Sequence, residues 1–114
     1  MPLSVNPNLS ALRALGKKQQ SSANNIANLD SAKFKKSDVV MEEHTSGGVT
    51  ARTQRINSPG VMVAQEDGSL LELSNVDLGE ELVDSLQARH AYAANLKALQ
   101  AEGEMQDQTL DLLG

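Results

Sequence analysis

The sequence predicts a mainly α-helical protein: long N- and C-terminal helices packed as a coiled-coil-like hairpin, with a short extended or β-hairpin arm between them. Three observations carry this. Residues 74–113 contain no proline and repeat their leucines near helical spacing. Residues 7–28 repeat apolar and small residues at intervals of three and four. Between them the pattern changes to short alternating runs separated by Gly- and Pro-containing turns. The division is 1–36, 37–73 and 74–114, together forming one core domain.

The last third reads as the organising element. Ser74-Asn75 stands as an N-cap signal before Val76-Asp77-Leu78, and Asp77, Glu80 and Glu81 load the first turn with the negative charge that the helix dipole favours. Leu78, Leu82, Leu86, Ala93, Leu96 and Leu99 form one stripe, which Leu110 and Leu113 rejoin after a polar gap. Val83, Ala91, Ala94, Ala98, Ala101 and Met105 form a second beside it, and the alanines allow close helix approach. Only Gly79 and Gly103 weaken the run. Helical throughout, the segment spans about 55 Å, longer than a compact domain of this size. Its apolar faces therefore call for partners.

At the other end, Asn6-Pro7 is a helix start, and Leu9, Leu12, Gly16, Gln19, Ala23 and Ile26 follow on one seam, widened by Leu15. Gly16, Gln19 and Ala23 make that seam weak by itself, so the helix (about Pro7 to Asn28) needs packing to persist. Asn24, Asn25 and Asn28 cluster at its C-terminal end, where their amides can bond helix-end carbonyls or a neighbouring chain. In the middle, Phe34 to His44 reads as extended or irregular and Thr45-Ser-Gly-Gly as a turn. Residues 50–56, Val61 to Ala64 and Leu70 to Leu73 read as strands, with turns at Asn57-Ser-Pro-Gly60 and Glu66-Asp-Gly-Ser69. Two small hairpins do not make a stable sheet alone, so the arm is expected to pack on the helices or on a neighbour.

Composition narrows the function. One Phe, one Tyr and no Trp leave little bulk for a thick core, and the absence of Cys removes disulfides and thiolate chemistry. Residues 1–36 carry six basic side chains against Asp30, whereas residues 77–114 carry eight acidic ones against Arg89 and Lys97. The ends are thus complementary, an effect that selects partner and direction more than it drives pairing. The basic block is short and has only Phe34 beside it, which argues against nucleic acid. No apolar run approaches the roughly 20 residues that span a bilayer, and the N-terminus shows no charged region followed by an apolar core, so export without a cleaved signal is the expectation. His44 and His90 are the only histidines. Neither sits in a zinc-protease pattern, and no nucleophile elbow, phosphate loop or dinucleotide glycine pattern occurs. Glu42/Glu43 and Glu80/Glu81 are adjacent, so on a helix they diverge by about 100°. The expectation is a non-enzyme with no cofactor and no metal.

The motifs carry a resemblance. Ala23-Asn-Asn-Ile-Ala-Asn-Leu-Asp-Ser-Ala-Lys-Phe-Lys-Lys36 resembles the N-terminal signature of bacterial flagellar rod and hook proteins. Ser74-Asn-Val-Asp-Leu-Gly-Glu-Glu-Leu-Val83, followed by Ala91-Tyr92-Ala93-Ala94-Asn95 and Lys97, resembles the C-terminal signature of the same family. The short middle is closest to a small proximal-rod protein. Lys33 stands where the family usually has glycine before the aromatic, and Arg89-His90 where it usually has Gln-Arg.

The resemblance implies a structural subunit of the bacterial flagellar basal-body rod, which crosses the periplasm. Its terminal helices would assemble with copies of itself and with other axial proteins into a tube, after passage through the flagellar type III export apparatus. It implies no nucleic acid and no membrane insertion. A stand-alone coiled-coil adaptor for a partner helix is the alternative. The expected packing residues are Leu9, Leu12, Ile26, Leu82, Leu86, Tyr92, Leu96 and Leu99, with Leu82, Leu86, Leu96 and Leu99 buried against the N-terminal helix. The motif residues Asn24, Asn25, Asn28, Ser74, Asn75, Asp77 and Asn95 are expected to supply polar specificity within or between subunits.

Overall fold

The structure, a computed structural model, describes residues 7–113. The elements run α1 (Pro7–Ala27), β1 (Ser37–Glu43), β2 (Val49–Arg55), β3 (Met62–Ala64), β4 (Leu70–Glu72) and α2 (Leu78–Leu113). The strands form two separate antiparallel hairpins, β1–β2 and β3–β4. The expected cap residue Asn6 lies outside the described residues.

The helix α1, rather than the longer α2, is the central layer. One of its faces lies against α2 and the opposite one against β1–β2, while α2 packs on neither hairpin. Gln19 Nε2 donates to Ser85 Oγ at 2.7 Å and Asn25 Nδ2 to Glu81 Oε1 at 2.9 Å, so the two helices run antiparallel. On the other side Ser10 Oγ accepts from the Val49 N–H at 3.0 Å, and Ser21 Oγ donates to the Ser37 carbonyl at 3.1 Å. Those two bonds tie both ends of the β1–β2 hairpin to α1. Seven residues pair on each strand, from Ser37 opposite Arg55 to Glu43 opposite Val49. The segment read as merely extended is thus a full strand. It persists because α1 covers one face, where Ala14 and Val39 are buried.

The helix–helix seam differs from the expected one. Leu12 and Leu15 of α1 are buried, and on α2 the buried positions are Glu81 and Ala88, with Ser85, Ala91, Asn95 and Leu99 half-buried. Small α2 side chains thus face large α1 leucines, which brings the helices close. Leu82 follows Glu81 by one residue and so lies about 100° around the helix. Consequently Leu82 and Leu86, each 54% exposed, and Leu96, 40% exposed, do not bury against α1. Of the four leucines expected there, Leu99 alone is shielded to half-buried.

Local conformation explains the turns. Gly47 and Gly48 (φ 91° and 90°) close β1–β2, and Gly68 (φ 88°) closes β3–β4. In the second turn the Ser69 N–H and Oγ–H donate to Asp67 Oδ1, which holds that carboxyl below its ordinary value. Residues 57–60 form an extended connection rather than a turn. Lys33 has φ 62°, a left-handed conformation that glycine adopts without strain, at the position where the resembled motif has glycine. Its N–H donates to the Glu72 carbonyl at 3.0 Å, so the bend joins the end of the first motif to β4.

The molecule is elongated. Its extents are 79 × 24 × 14 Å, and its radius of gyration is 20.2 Å. A compact chain of this length would have a radius of gyration of about 13 Å. Its accessible surface is 8296 Å², against roughly 6,100 Å² for a compact monomer of this mass. No described helix is long and apolar enough to cross a membrane.

Candidate assembly interface

Two features make up the site: a polar knot where the two motif segments meet, and an apolar surface that the knot holds outward. At the centre of the knot is Asn25, 1% exposed. Its Nδ2 donates to the Ser37 carbonyl at 2.8 Å and to Glu81 Oε1 at 2.9 Å, and its Oδ1 accepts from the Ser37 N–H at 3.0 Å. One amide therefore ties α1, β1 and α2 together. Glu81, read as part of a charged first turn, is instead a buried member of this knot.

Ser74 and Asn75 do not cap α2. Asp77 does, with its Oδ1 accepting from the Glu80 N–H at 3.2 Å and its carbonyl from the Glu81 N–H at 3.0 Å. Ser74 and Asn75 clamp the chain between elements. The Ser74 hydroxyl donates to the Leu29 carbonyl. Asn75 Oδ1 accepts from the Lys36 N–H at 2.7 Å, and its Nδ2 donates to the carbonyls of Ile56 at 2.8 Å and Ser58 at 3.0 Å. Two polar side chains thus satisfy backbone groups of a loop region with no ladder of its own.

The other asparagines act locally. Asn28 Nδ2 donates to the Asn24 carbonyl at 2.9 Å at the end of α1, and its Oδ1 accepts from the Ser31 hydroxyl. Asn95 Nδ2 donates to the Ala91 carbonyl one turn back. Asn24 is exposed.

The β3–β4 hairpin packs on no other element and is held at its base. Lys35 Nζ donates to Glu72 Oε1 and to the Ser58 carbonyl, and the Gly60 N–H donates to the same carboxylate oxygen at 3.2 Å. The Lys35 hydrogen bond first, and the Gly60 N–H second, hold the Glu72 carboxyl below the ordinary value of 4.5. A carboxyl whose folded value is lowered stabilises fully above its unfolded value and loses that contribution as pH falls through the folded one. The base of the arm should therefore loosen only below pH 4.5. An NMR titration of the Gly60 amide is expected to show a midpoint below that value; a midpoint at or above it would contradict the clamp.

The apolar surface is large. Among the described residues only Leu12, Ala14, Leu15, Val39 and Ala88 form a buried apolar core, whereas sixteen large apolar side chains stand exposed. On α2 they include Leu78, Leu82, Leu86 and Leu96 along one flank of the seam, with Tyr92 at the edge of a groove that also contains Leu15, Gly16, Ala23 and Ala88. Leu9 is exposed at the start of α1, and Ile26 is half-buried. On β3–β4 the exposed set is Met62, Val63 and Leu70, with Val61 alongside. Exposed apolar surface of this extent marks interaction sites. Among the described residues no three His, Asp or Glu side chains converge as a metal site does. His44 lies at the mouth of the β1–β2 turn, its Nε2 3.0 Å from Thr50 Oγ1, and His90 is exposed on α2.

The chain is thus a hairpin of two long helices with a small core and a wide apolar exterior. Residues 67–112 match the family described as flagellar basal body rod FlgEFG protein C-terminal. That span holds Ser74, Asn75, the Asp77 cap and all of α2 but its last residue. Over these residues the chain is similar to a structural family of the bacterial flagellar basal body rod. No curated protein matched in a search with the whole chain.

Proposed function

We propose that this chain is a structural subunit of the basal-body rod, and that α1 and α2 assemble in coiled-coil fashion with copies of itself and other rod and hook proteins into a tubular axis. The observation that carries this is the outward leucine row of α2. Leu82 and Leu86 are too far around the helix to serve the fold of the single chain, so their stabilisation comes from a neighbour. Full burial of a leucine contributes about 1.5–3 kcal/mol, and a row of them on each subunit adds up over an assembly. The segments 1–36, 37–73 and 74–114 act in this reading as one axial unit, delivered by the flagellar export apparatus without a cleaved signal.

The test is the double variant Leu82→Asp/Leu86→Asp. Because both side chains are half exposed, the stability of the free chain should change by only about 0.5 kcal/mol per site. Incorporation into purified basal bodies and swimming should be lost. Normal incorporation of a variant that folds normally would overturn the reading.

A further inference from the structure

The α1 and α2 portions of the hairpin carry opposite charges. Asn25 stands opposite Glu81 and Gln19 opposite Ser85, so counting back along α1 brings Pro7 level with roughly residue 98 of α2. Residues 100–113 continue past that point, all exposed, for about 21 Å of further helix. Within this overhang Glu104, Asp107 and Asp111 fall at i, i+3 and i+7, which puts three carboxylates on one helix face. None of the three is in an ion pair among the described residues.

The complementary surface lies on the other side of α1. A groove of about 460 Å³ runs between α1 and the β1–β2 turn, with Arg13 and Lys17 on its helical wall and His44, Gly47 and Gly48 on the other. Beyond Lys17 it continues into a second hollow lined by Gln20, Asn24 and Thr53. Arg13 and Lys17 are exposed and have no carboxylate partner among the described residues. They are four residues apart, about 6 Å along the helix, the same rise that separates Asp107 from Asp111.

The overhang cannot fill its own groove. The helix α2 packs only on the far side of α1, touches neither strand of β1–β2, and leaves the hairpin in the direction away from it. We propose that the acidic overhang of α2 in one copy seats in the basic α1/β1–β2 groove of a second copy. The contact joins two different surfaces, so each copy keeps a free overhang or a free groove for the next copy, except where two copies exchange overhangs in a closed pair. It deepens the assembly reading and rests on it for its setting, naming the charged contact that sets the direction in which one subunit follows another.

Sedimentation of the purified full chain at low and high salt tests this directly. The wild type is expected to show an average mass that climbs with concentration at low ionic strength and returns to the monomer in high salt. Arg13→Glu/Lys17→Glu and Asp107→Lys/Asp111→Lys should each weaken self-association by about tenfold, the effect that two exposed ion pairs supply together. An equimolar mixture of the two variants should associate again, because the acidic overhang of the first meets the basic groove of the second. A wild type that stays monomeric at low salt, variants that associate like the wild type, or a mixture that fails to recover would each overturn the inference. So would loss on groove reversal alone, which would mean that the groove takes another acidic segment. None of these outcomes touches the rod reading, whose own test is the Leu82/Leu86 variant with its unaltered charges.

Discussion

Replacing Asn25 with alanine is expected to destabilise the protein by about 3–5 kcal/mol, enough to unfold much of the hairpin. The magnitude follows from burial and from what is left behind. Asn25 is 1% exposed and satisfies three groups on two other elements. Its removal strips Glu81 Oε1 of an amide donor in a site that is itself buried, strips the Ser37 N–H of its acceptor, and leaves the Ser37 carbonyl with the Ser21 hydroxyl alone. An unpartnered buried polar group costs about 1–3 kcal/mol, and more when it carries charge. Asn25→Asp should be no milder, since a carboxylate cannot donate to Glu81. Asn28→Ala supplies the contrast: its bonds lie at the exposed end of α1, so its effect should stay near 1 kcal/mol or below. Urea denaturation followed by circular dichroism checks all three; equal midpoints for Asn25→Ala and Asn28→Ala would mean that the knot does not hold the helices.

Gly60→Ala is expected to be the most damaging change in the arm. A Cβ built at Gly60 would sit 1.9 Å from the Leu73 carbonyl oxygen and 2.8 Å from its carbon, both backbone atoms that no rotamer can move. The strands are drawn together there because the Leu73 N–H donates to the Val61 carbonyl at 2.8 Å, while the Gly60 N–H reaches Glu72. Separating them breaks the junction that Lys35 and Glu72 hold, at a cost of about 3 kcal/mol. Because β3–β4 packs on neither helix, the loss should be local. Amide exchange should accelerate at Leu73 and Gln65 and stay slow at α1 residues facing α2. Unchanged exchange at Leu73 in the variant would show that the close approach is not required.

The parts of this architecture that were legible in the sequence are those fixed by local chemistry. The span of α1, the proline-free run of α2 and the glycine turns at 45–48 and 66–69 all follow from signals carried within a few residues. The start of α2 was misplaced because Ser74 and Asn75 look like capping residues, yet their bonds go to Leu29, Lys36, Ile56 and Ser58, up to 45 residues away in sequence. Gly60 gave no signal because what forbids a side chain there is a strand thirteen positions on. The leucine row is the most instructive case. Periodicity reveals two adjacent apolar faces on α2, yet α1 covers neither: on the second, Val83, Ala94, Ala98, Ala101 and Met105 are exposed and Ala91 alone is half-buried. The structure gives the inner seam to Ser85, Ala88 and the buried Glu81, because these fit between Leu12, Leu15 and Asn25; the leucines are left facing out.

The chain has no cysteine, so a single Leu86→Cys substitution provides a clean reporter of that outward face. The account predicts that a thiol reagent labels Cys at this position rapidly in the free chain and is blocked once the same protein is part of an isolated basal body. Equal labelling in both states would show that no neighbour covers the leucine row, and the assembly reading would fall with it.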